Sequence, residues 1–187
     1  MSNFHDLAQQ AEDNPAAADF ASLRAAYVAG DAYRPLKHIT RQKLMQITDS
    51  VTDFDEVVRT CRDILKSNPL DLEARMMLAH AQEKSGDGRA AEKTHAFAER
   101  MLDAILMTGD GKSFETAFQL VAENEAWTVL RVFGIKARSK ERHRREDRVY
   151  DVFEGKLGGD DVKAYFDVTD PVRVLDETLE RSDDSSD

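Results

Sequence analysis

The middle of the chain has apolar residues that recur with the period of an α-helix. Between residues 53 and 66 they fall at i, i+3, i+4 and i+7, which predicts an amphipathic helix with Cys61 on its apolar side. The next segment, 71–100, has a helical pattern on both sides of Ser85-Gly86-Asp87-Gly88. Because glycine adopts turn conformations that a Cβ resists, this segment predicts two helices folded back on each other as a hairpin.

This hairpin has the 34-residue spacing of a tetratricopeptide repeat. A shift of 34 residues maps Asp53 onto Asp87 and Val57 onto Ala91, so the helix at 53–66 is predicted to be the second half of a preceding repeat. About one and a half repeats are recognisable in this way. Since about three stacked units are needed for a stable core, the other segments are expected to close the ends of the superhelix.

Shorter helical patterns precede the repeats. Residues 3–13 are weakly amphipathic, and Asp19 is expected to cap a helix that ends at Gly30-Asp31. The residue before Pro35 is pushed out of helical geometry, so the chain is expected to leave the helix there. A further helix is predicted at about residues 40–48.

The pattern changes after Glu125. Before it, apolar residues at helical spacing predict a helix over 112–123. After it, short segments rich in β-branched and aromatic residues predict an antiparallel meander that ends at a helix capped by Asp170-Pro171. The predicted strands are 127–135, 136–144, 148–154 and 162–168, with a turn at Glu146-Asp147, and the last helix is predicted at about 172–181.

These patterns together predict an α+β protein, a mainly helical tetratricopeptide-like superhelix followed by a small C-terminal antiparallel β-sheet. A helical extension is expected at 1–18 and the tetratricopeptide-like region at 19–125. The β-meander, packed on the helices, is expected at 126–170, and a short helix with an acidic, disordered tail at 171–187.

Composition narrows the range of partners and locations. The 187-residue chain has a net charge of −10, which argues against wholesale binding to nucleic acid or anionic membranes. No apolar stretch has the length of a membrane span, and the N-terminus lacks the basic and apolar regions of a signal peptide, so a cytoplasmic protein is expected. Cys61 is the single cysteine and is expected to be a small core residue.

The segment Gly109–Ser113 invites comparison with a phosphate-binding loop. The comparison fails because Leu106 stands where such a loop needs a glycine, and because a helical pattern precedes the segment instead of a strand. The favoured interpretation is a tight connection between two helices, capped by Asp110 or Ser113. The alternative is that Lys112 and exposed backbone N–H groups bind an anion.

The histidines do not have the spacing of metal ligands, so no metal site and no cofactor is predicted. His95 stands where tetratricopeptide repeats keep a bulky residue and is expected to be partly buried. An alternative groups it with Arg24, Tyr33 and Asp110 in a polar cluster, with His95 as a general base and Arg24 stabilising an anion. Neither a nucleophile signature nor a paired-carboxylate motif supports that enzyme hypothesis.

The segment 136–148 is basic in an otherwise acidic chain. In a strand, alternation would place five of its cations on one face, namely Lys136, Arg138, Lys140, Arg142 and Arg144. The favoured interpretation is a solvated edge strand whose charge discourages edge pairing. The alternatives are docking of an acidic partner, including the chain's own Asp183-Asp184, and binding of RNA or DNA phosphates.

Several segments, taken in order, resemble a known family. They are DFASLRAAY, YRP, the hairpin, TGDGKSFETAF, ENEAWTVLRVFGI, VYDVFEG and YFDV. Together they cover residues 19–168 and resemble an uncharacterised bacterial family, domain of unknown function 4919. The resemblance implies helical repeats that end in a small sheet, and it implies no activity. The matching positions are Arg24, Tyr27, Tyr33, Pro35, His95, Gly109, Asp110, Gly111, Glu125, Tyr150 and Asp151.

The sequence therefore favours a non-enzymatic module that binds a protein or peptide on a concave face of stacked helices. The residues expected to line that face are Arg75, Met76, Ala79, Gln82 and Glu83, with Arg24 and His95 nearby. The alternative is a small enzyme or anion-binding protein that uses Arg24, His95, Asp110, Tyr150 and Asp151. No feature of the sequence indicates the oligomeric state.

Overall fold

A computed structural model of the chain describes residues 3–31, 33, 35 and 53–184. The chain divides into two compact units, residues 1–104 and 105–187. The first unit is helical, and the second contains a four-stranded sheet with helices. The predicted α+β class, with helices first and the sheet after them, is confirmed.

The helical unit has five helices in its described residues. They are α1 (Phe4–Asp13), α2 (Phe20–Val28), α3 (Phe54–Ser67), α4 (Leu72–Lys84) and α5 (Gly88–Leu106), the last of which runs two residues past the unit boundary. The helices predicted near 3–13, after Asp19 and over 53–66 are confirmed, as is the hairpin of α4 and α5. The helix predicted at about 40–48 lies outside the described residues.

Acidic side chains cap several of these helices. The carboxylate of Asp19 accepts a hydrogen bond from the N–H of Ser22, and that of Asp53 accepts from the N–H groups of Asp55 and Glu56. Asp71 caps α4 through the N–H of Ala74, and Asp87 caps α5 through the N–H of Ala90. Each cap satisfies N–H groups that a helix leaves unpaired at its start, so each fixes where its helix begins.

The helix α4 contacts three other helices of the helical unit, α1, α3 and α5. One side of it packs against α3 in an apolar cluster that contains the fully buried Cys61, as predicted. The cluster consists of Val57, Val58, Cys61, Ile64, Ala74, Leu78 and Ala81. Elsewhere in the unit, Phe20 of α2 meets Phe97 of α5 edge-on at 4.9 Å, and the hydroxyl of Tyr27 donates to Asn68 at 2.9 Å.

The second unit contains the sheet. Its elements are β1 (Phe118–Gln119), α6 (Glu125–Val132), β2 (Lys136–Arg145), β3 (Arg148–Leu157), β4 (Asp160–Asp167) and α7 (Thr169–Asp184). The strand order is β1-β4-β3-β2. The pairs β2–β3 and β3–β4 are antiparallel, whereas β1 is parallel to β4, so the sheet is mixed and not purely antiparallel as predicted.

Two predicted elements of the second unit are wrong. The segment 112–123 is a loop followed by β1, because Phe118 and Gln119 pair with β4 instead of continuing a helix. The segment 127–135, predicted as a strand, contains most of α6. The buried carboxylate of Glu125 accepts a hydrogen bond from the N–H of Val121 at 2.9 Å where α6 begins. Tertiary packing and this contact outweigh the β propensity of the segment.

The prediction that five cations of β2 share one face holds only in part. A register shift between Ala137 and Ser139 interrupts the alternation. Beyond it, Lys140 and Arg142 lie opposite Phe153 and Asp151 of β3, on what we call the Phe153 face of the sheet. Because of the shift, Lys136 lies opposite Lys156 on the other face, which we call the Tyr150 face.

Candidate functional site

One stripe of α4 is open in the helical unit. Met76 is half-buried, whereas His80 and Glu83 are exposed, and these residues follow one another at helical spacing. The ring of His80 lies edge-on to Phe54 of α3, at 6.3 Å between centroids. We call Met76, His80 and Glu83 the α4 stripe. It offers a thioether, an imidazole and a carboxylate on one helical surface.

Arg75 and Gln82 lie beside this stripe but are buried. The guanidinium of Arg75 stacks on Phe97 at 3.8 Å and forms an ion pair with Glu12 of α1. Gln82 is 4% exposed, and Ala79 is fully buried. These three side chains were expected to line an open face, but they lie in the interior, where Arg75 links α4 to α1 and α5.

The other sequence-predicted residues of the helical unit do not form an open site. Arg24 and Tyr33 are 5% and 6% exposed, and Tyr33 meets Tyr27 edge-on at 5.2 Å. His95 is exposed on α5, which corrects the expectation that it would be partly buried. The two buried residues are core side chains, and His95 faces solvent.

A charged network lies on the Phe153 face of the sheet. Asp151 is 1% exposed, and its carboxylate accepts from Lys140 Nζ at 2.8 Å and from Arg142 Nε at 2.7 Å. Arg142 Nη2 also donates to Glu123 at 2.7 Å, and Lys140 Nζ lies 3.6 Å from the same carboxylate. Two cations are thus held between two carboxylates, one of them buried.

The environment of Asp151 sets its pKa. Burial by itself would raise that pKa, but the hydrogen bonds from Arg142 and Lys140, with their positive charges, outweigh the burial and hold the pKa below the ordinary value of 3.8. The same contacts raise the pKa of Arg142, with the hydrogen bond to Asp151 as the largest cause. Asp151 and Arg142 therefore stay charged at neutral pH, which suits a fixed network of ion pairs better than a proton-transfer site.

Trp127 borders this network. Its ring meets Phe153 edge-on at 5.0 Å, and 39% of the residue is exposed. Lys140 lies directly opposite Phe153 in the β2–β3 register. The sequence prediction missed both Trp127 and Glu123 as neighbours of the basic strand, because Glu123 precedes α6 and nothing in the local pattern brings it to β2.

The loop that contains Asp110 is closed by its own hydrogen bonds. The carboxylate of Asp110 accepts from the N–H of Lys112 at 3.0 Å and from Thr116 Oγ1 at 2.5 Å. The hydrogen bond from Thr116 is the main cause that lowers the pKa of Asp110. Because 111–117 is not a helix, Lys112 and Ser113 do not sit at a helix N-terminus. The predicted connection between two helices is therefore wrong, and the alternative anion site lacks the helix N-terminus that it needs.

Phe114 extends from this loop over the Tyr150 face. Its ring lies 5.1 Å from Tyr150, 4.9 Å from Tyr165 and 5.6 Å from His143. The guanidinium of Arg145 covers it at 3.5 Å. This arrangement buries Tyr150 to 7% exposure, so Tyr150 belongs to a small aromatic core.

Comparison with protein families adds one finding. The model of a family described as a domain of unknown function (DUF4919) matches residues 8–178. The chain belongs to this family. No curated protein and no solved structure matches it.

In this DUF4919 chain, neither a metal centre nor a membrane span is apparent in the described parts. Among residues 3–31, 33, 35 and 53–184, no group of three or more His, Cys, Asp or Glu side chains is placed to hold a metal ion. Over the same residues, no helix combines the length and apolarity needed to cross a bilayer. The remaining predicted site residue, Arg138, forms an ion pair with Asp161 near the bulge in β2.

Proposed function

We propose that this DUF4919 chain is a non-enzymatic protein- or peptide-binding module whose helical unit is built from tetratricopeptide-like repeats. The observation that carries the proposal is the spacing of the capped helices. Asp19, Asp53 and Asp87 lie 34 residues apart, and each caps the start of a helix, α2, α3 and α5. Asn3 and Asp71, which cap α1 and α4, lie 68 residues apart, twice that period.

Buried positions repeat with the same period. Leu23, Val57 and Ala91, one in each of the helices α2, α3 and α5, are 1%, 4% and 3% exposed. Ala11 and Ala79, 68 residues apart on α1 and α4, are fully buried. A constant repeat length with small or apolar residues at equivalent positions allows helical hairpins to stack, and stacked hairpins bind ligands on one surface.

The contact of Phe20 with Phe97 adds a constraint. These residues belong to the first and last of the 34-residue segments, yet their rings are 4.9 Å apart. In an extended superhelix each repeat contacts its neighbours only. The first and last segments of this unit therefore contact each other directly, which an extended superhelix would not allow.

The binding surface that fits this arrangement is the α4 stripe. Met76 supplies an adaptable apolar contact, and His80 and Glu83 supply polar ones. A partner helix or extended peptide lying along α4 would meet these side chains in succession. This surface takes the place of the concave face predicted from the sequence, because that prediction included Arg75, Ala79 and Gln82, which are buried.

The alternative is a small enzyme or anion-binding protein using Arg24, His95, Asp110 and Tyr150. Arg24 is buried and His95 is exposed in the helical unit. In the second unit, the carboxylate of Asp110 accepts hydrogen bonds from Thr116 and Lys112, and Phe114 packs on Tyr150. Each of these side chains has a structural role or faces solvent, so the arrangement favours the binding module.

Affinity capture with matched variants tests the proposal. The wild-type chain and a variant carrying Met76→Glu with His80→Glu are compared by capture and mass spectrometry. A variant carrying Lys93→Glu with His95→Glu, both of them exposed residues of α5, is the control. We expect a protein that is retained by the wild type and the control but lost with the Met76 and His80 changes. Equal retention by all three, or no retained protein, contradicts the proposal.

A further inference from the structure

In the second unit, no strand among the described residues pairs with the outer edge of β2. The strand β2 is the last in the order β1-β4-β3-β2, and it is ten residues long. Eight of its residues are exposed. An edge strand of this length presents a row of backbone N–H and C=O groups on which another strand can form hydrogen bonds.

The positive charge of β2 determines which kind of strand could pair with it. Six of its ten residues are lysine or arginine, and Glu141 is its one acidic residue. Pairing with a second copy of β2 would place these like charges against each other, which destabilises a ladder. A strand that carries acidic side chains avoids that repulsion and adds attraction.

The cations on the Phe153 face are already held in place. Arg142 is fixed between Asp151 and Glu123, Lys140 is fixed on Asp151, and Arg144 lies 3.2 Å from Asp176 of α7. Their side chains nevertheless keep 30%, 37% and 62% of their surface exposed. Their conformations are therefore ordered before any partner arrives, which lowers the entropic cost of binding.

From this arrangement we infer that the edge of β2 accepts an extended acidic segment of another protein as an added strand. Strands in a sheet lie about 4.8 Å apart, so alternate acidic side chains of the added strand would lie opposite Lys140, Arg142 and Arg144. The backbone ladder would supply affinity, and the charges would supply specificity. This inference concerns the second unit and does not depend on the role proposed for α4.

Nucleic acid is the competing ligand for a basic strand. It would bind through phosphates, with strong salt dependence, and it cannot extend a β-ladder. The long exposed edge therefore favours a polypeptide, and a peptide and an oligonucleotide probe distinguish the two ligands.

A peptide titration with the full chain tests the inference. The probe is a fluorescent peptide of alternating glutamate and threonine, and its binding is followed by anisotropy. Three further probes are the same peptide with N-methylated backbone amides, a peptide with lysine in place of glutamate, and an oligothymidylate. We expect the glutamate peptide to bind and N-methylation to weaken binding by about tenfold or more, because the ladder hydrogen bonds are lost.

Protein variants localise the binding. Arg144→Glu is expected to weaken glutamate-peptide binding by about tenfold, because one attractive contact becomes repulsive. Lys93→Glu, a charge change on an exposed residue of α5, is expected to leave it unchanged. Bound peptide is also expected to slow amide hydrogen exchange in residues 136–145 of the wild-type protein.

Three results overturn the inference. The first is absence of binding by the glutamate peptide. The second is equal binding of the N-methylated peptide or the lysine peptide, which would show that no specific ladder forms. The third is tighter binding of the oligothymidylate that is weakened by Arg144→Glu, which would assign the strand to nucleic acid.

Discussion

The guanidinium of Arg142 holds the buried carboxylate of Asp151 through two hydrogen bonds, Nε to Oδ1 at 2.7 Å and Nη2 to Oδ2 at 2.9 Å. The two residues are direct cross-strand partners in the β2–β3 register. Lys140 adds a third hydrogen bond to the same carboxylate. Through Asp151, this contact ties two cations of the basic edge strand to the interior of the sheet.

Replacing Asp151 with asparagine should destabilise the protein. The change keeps the size of the side chain but leaves Lys140 and Arg142 without their buried counter-charge. Because both cations are partly exposed and Glu123 still contacts them, we expect a loss of about 1–3 kcal/mol in free energy of unfolding. Urea denaturation of wild type and Asp151→Asn measures the loss. Glu154→Gln, which removes an exposed pair with Lys163, is the control and should cause a clearly smaller change. Equal losses from the two substitutions would show that the Asp151 network stabilises the protein no more than an exposed ion pair does.

The same residue predicts a dependence of stability on pH. The pKa of Asp151 in the folded chain lies below 3.8, so its contribution is fully present above pH 3.8 and is lost as the pH falls through the folded-state value. The stability difference between wild type and Asp151→Asn should therefore shrink between neutral pH and about pH 3 or below. Urea denaturation at both ends of that range provides the measurement. A difference that stays constant, or that grows on acidification, contradicts the assigned direction.

Gly109 should resist substitution by alanine. A Cβ at this position would lie 2.2 Å from the carbonyl oxygen of Thr116, a backbone atom that accepts hydrogen bonds from Asp110 and Gly111. Forcing the loop apart should cost about 1–3 kcal/mol, the range seen for overpacked sites. Thermal unfolding followed by circular dichroism tests this. Gly88→Ala, at a site with open space at the start of α5, is the control and should leave the melting temperature the same or slightly higher.

Cys61 should be unreactive in the folded protein. Burial, together with the negative charge of Asp71, raises the pKa of the thiol to about 12, so almost no thiolate exists at neutral pH. A thiol reagent such as a disulfide dye should react slowly with the native chain and rapidly in denaturant. Rapid reaction without denaturant would place Cys61 outside the core of α3 and α4.

Local signals made the helical hairpin predictable from the sequence. Gly86 has a φ of +89°, which favours glycine, and Asp71 and Asp87 are caps whose role is visible in the residue type and its position. The strands β3 and β4 were predicted for a similar reason, because β-branched and aromatic residues fill both. The sequence pattern therefore located the elements that are determined by residue types close together in the chain.

The region from Gly109 to Ile135 was mispredicted because distant residues decide its structure. Phe118 pairs with Phe166 of β4, about 50 residues later in the chain, and Phe114 is held by Tyr150 and Tyr165. The bulge near Ser139, which moves cations to the other face of β2, likewise depends on the register with β3. Arg75 and Gln82 are buried, and Arg75 contacts both α1 and α5. The periodicity of α4 does not show which of its sides other helices cover, so the sequence did not predict this burial.

Site-specific photo-cross-linking tests the proposed role of the helical unit most directly. A photoreactive amino acid is placed at His80 in one variant and at His95 in another, both being exposed histidines of this unit. We expect a discrete cross-linked protein or peptide from position 80 and none from position 95. Cross-links of equal yield from both positions, cross-links from position 95 alone, or none from position 80 would contradict this expectation.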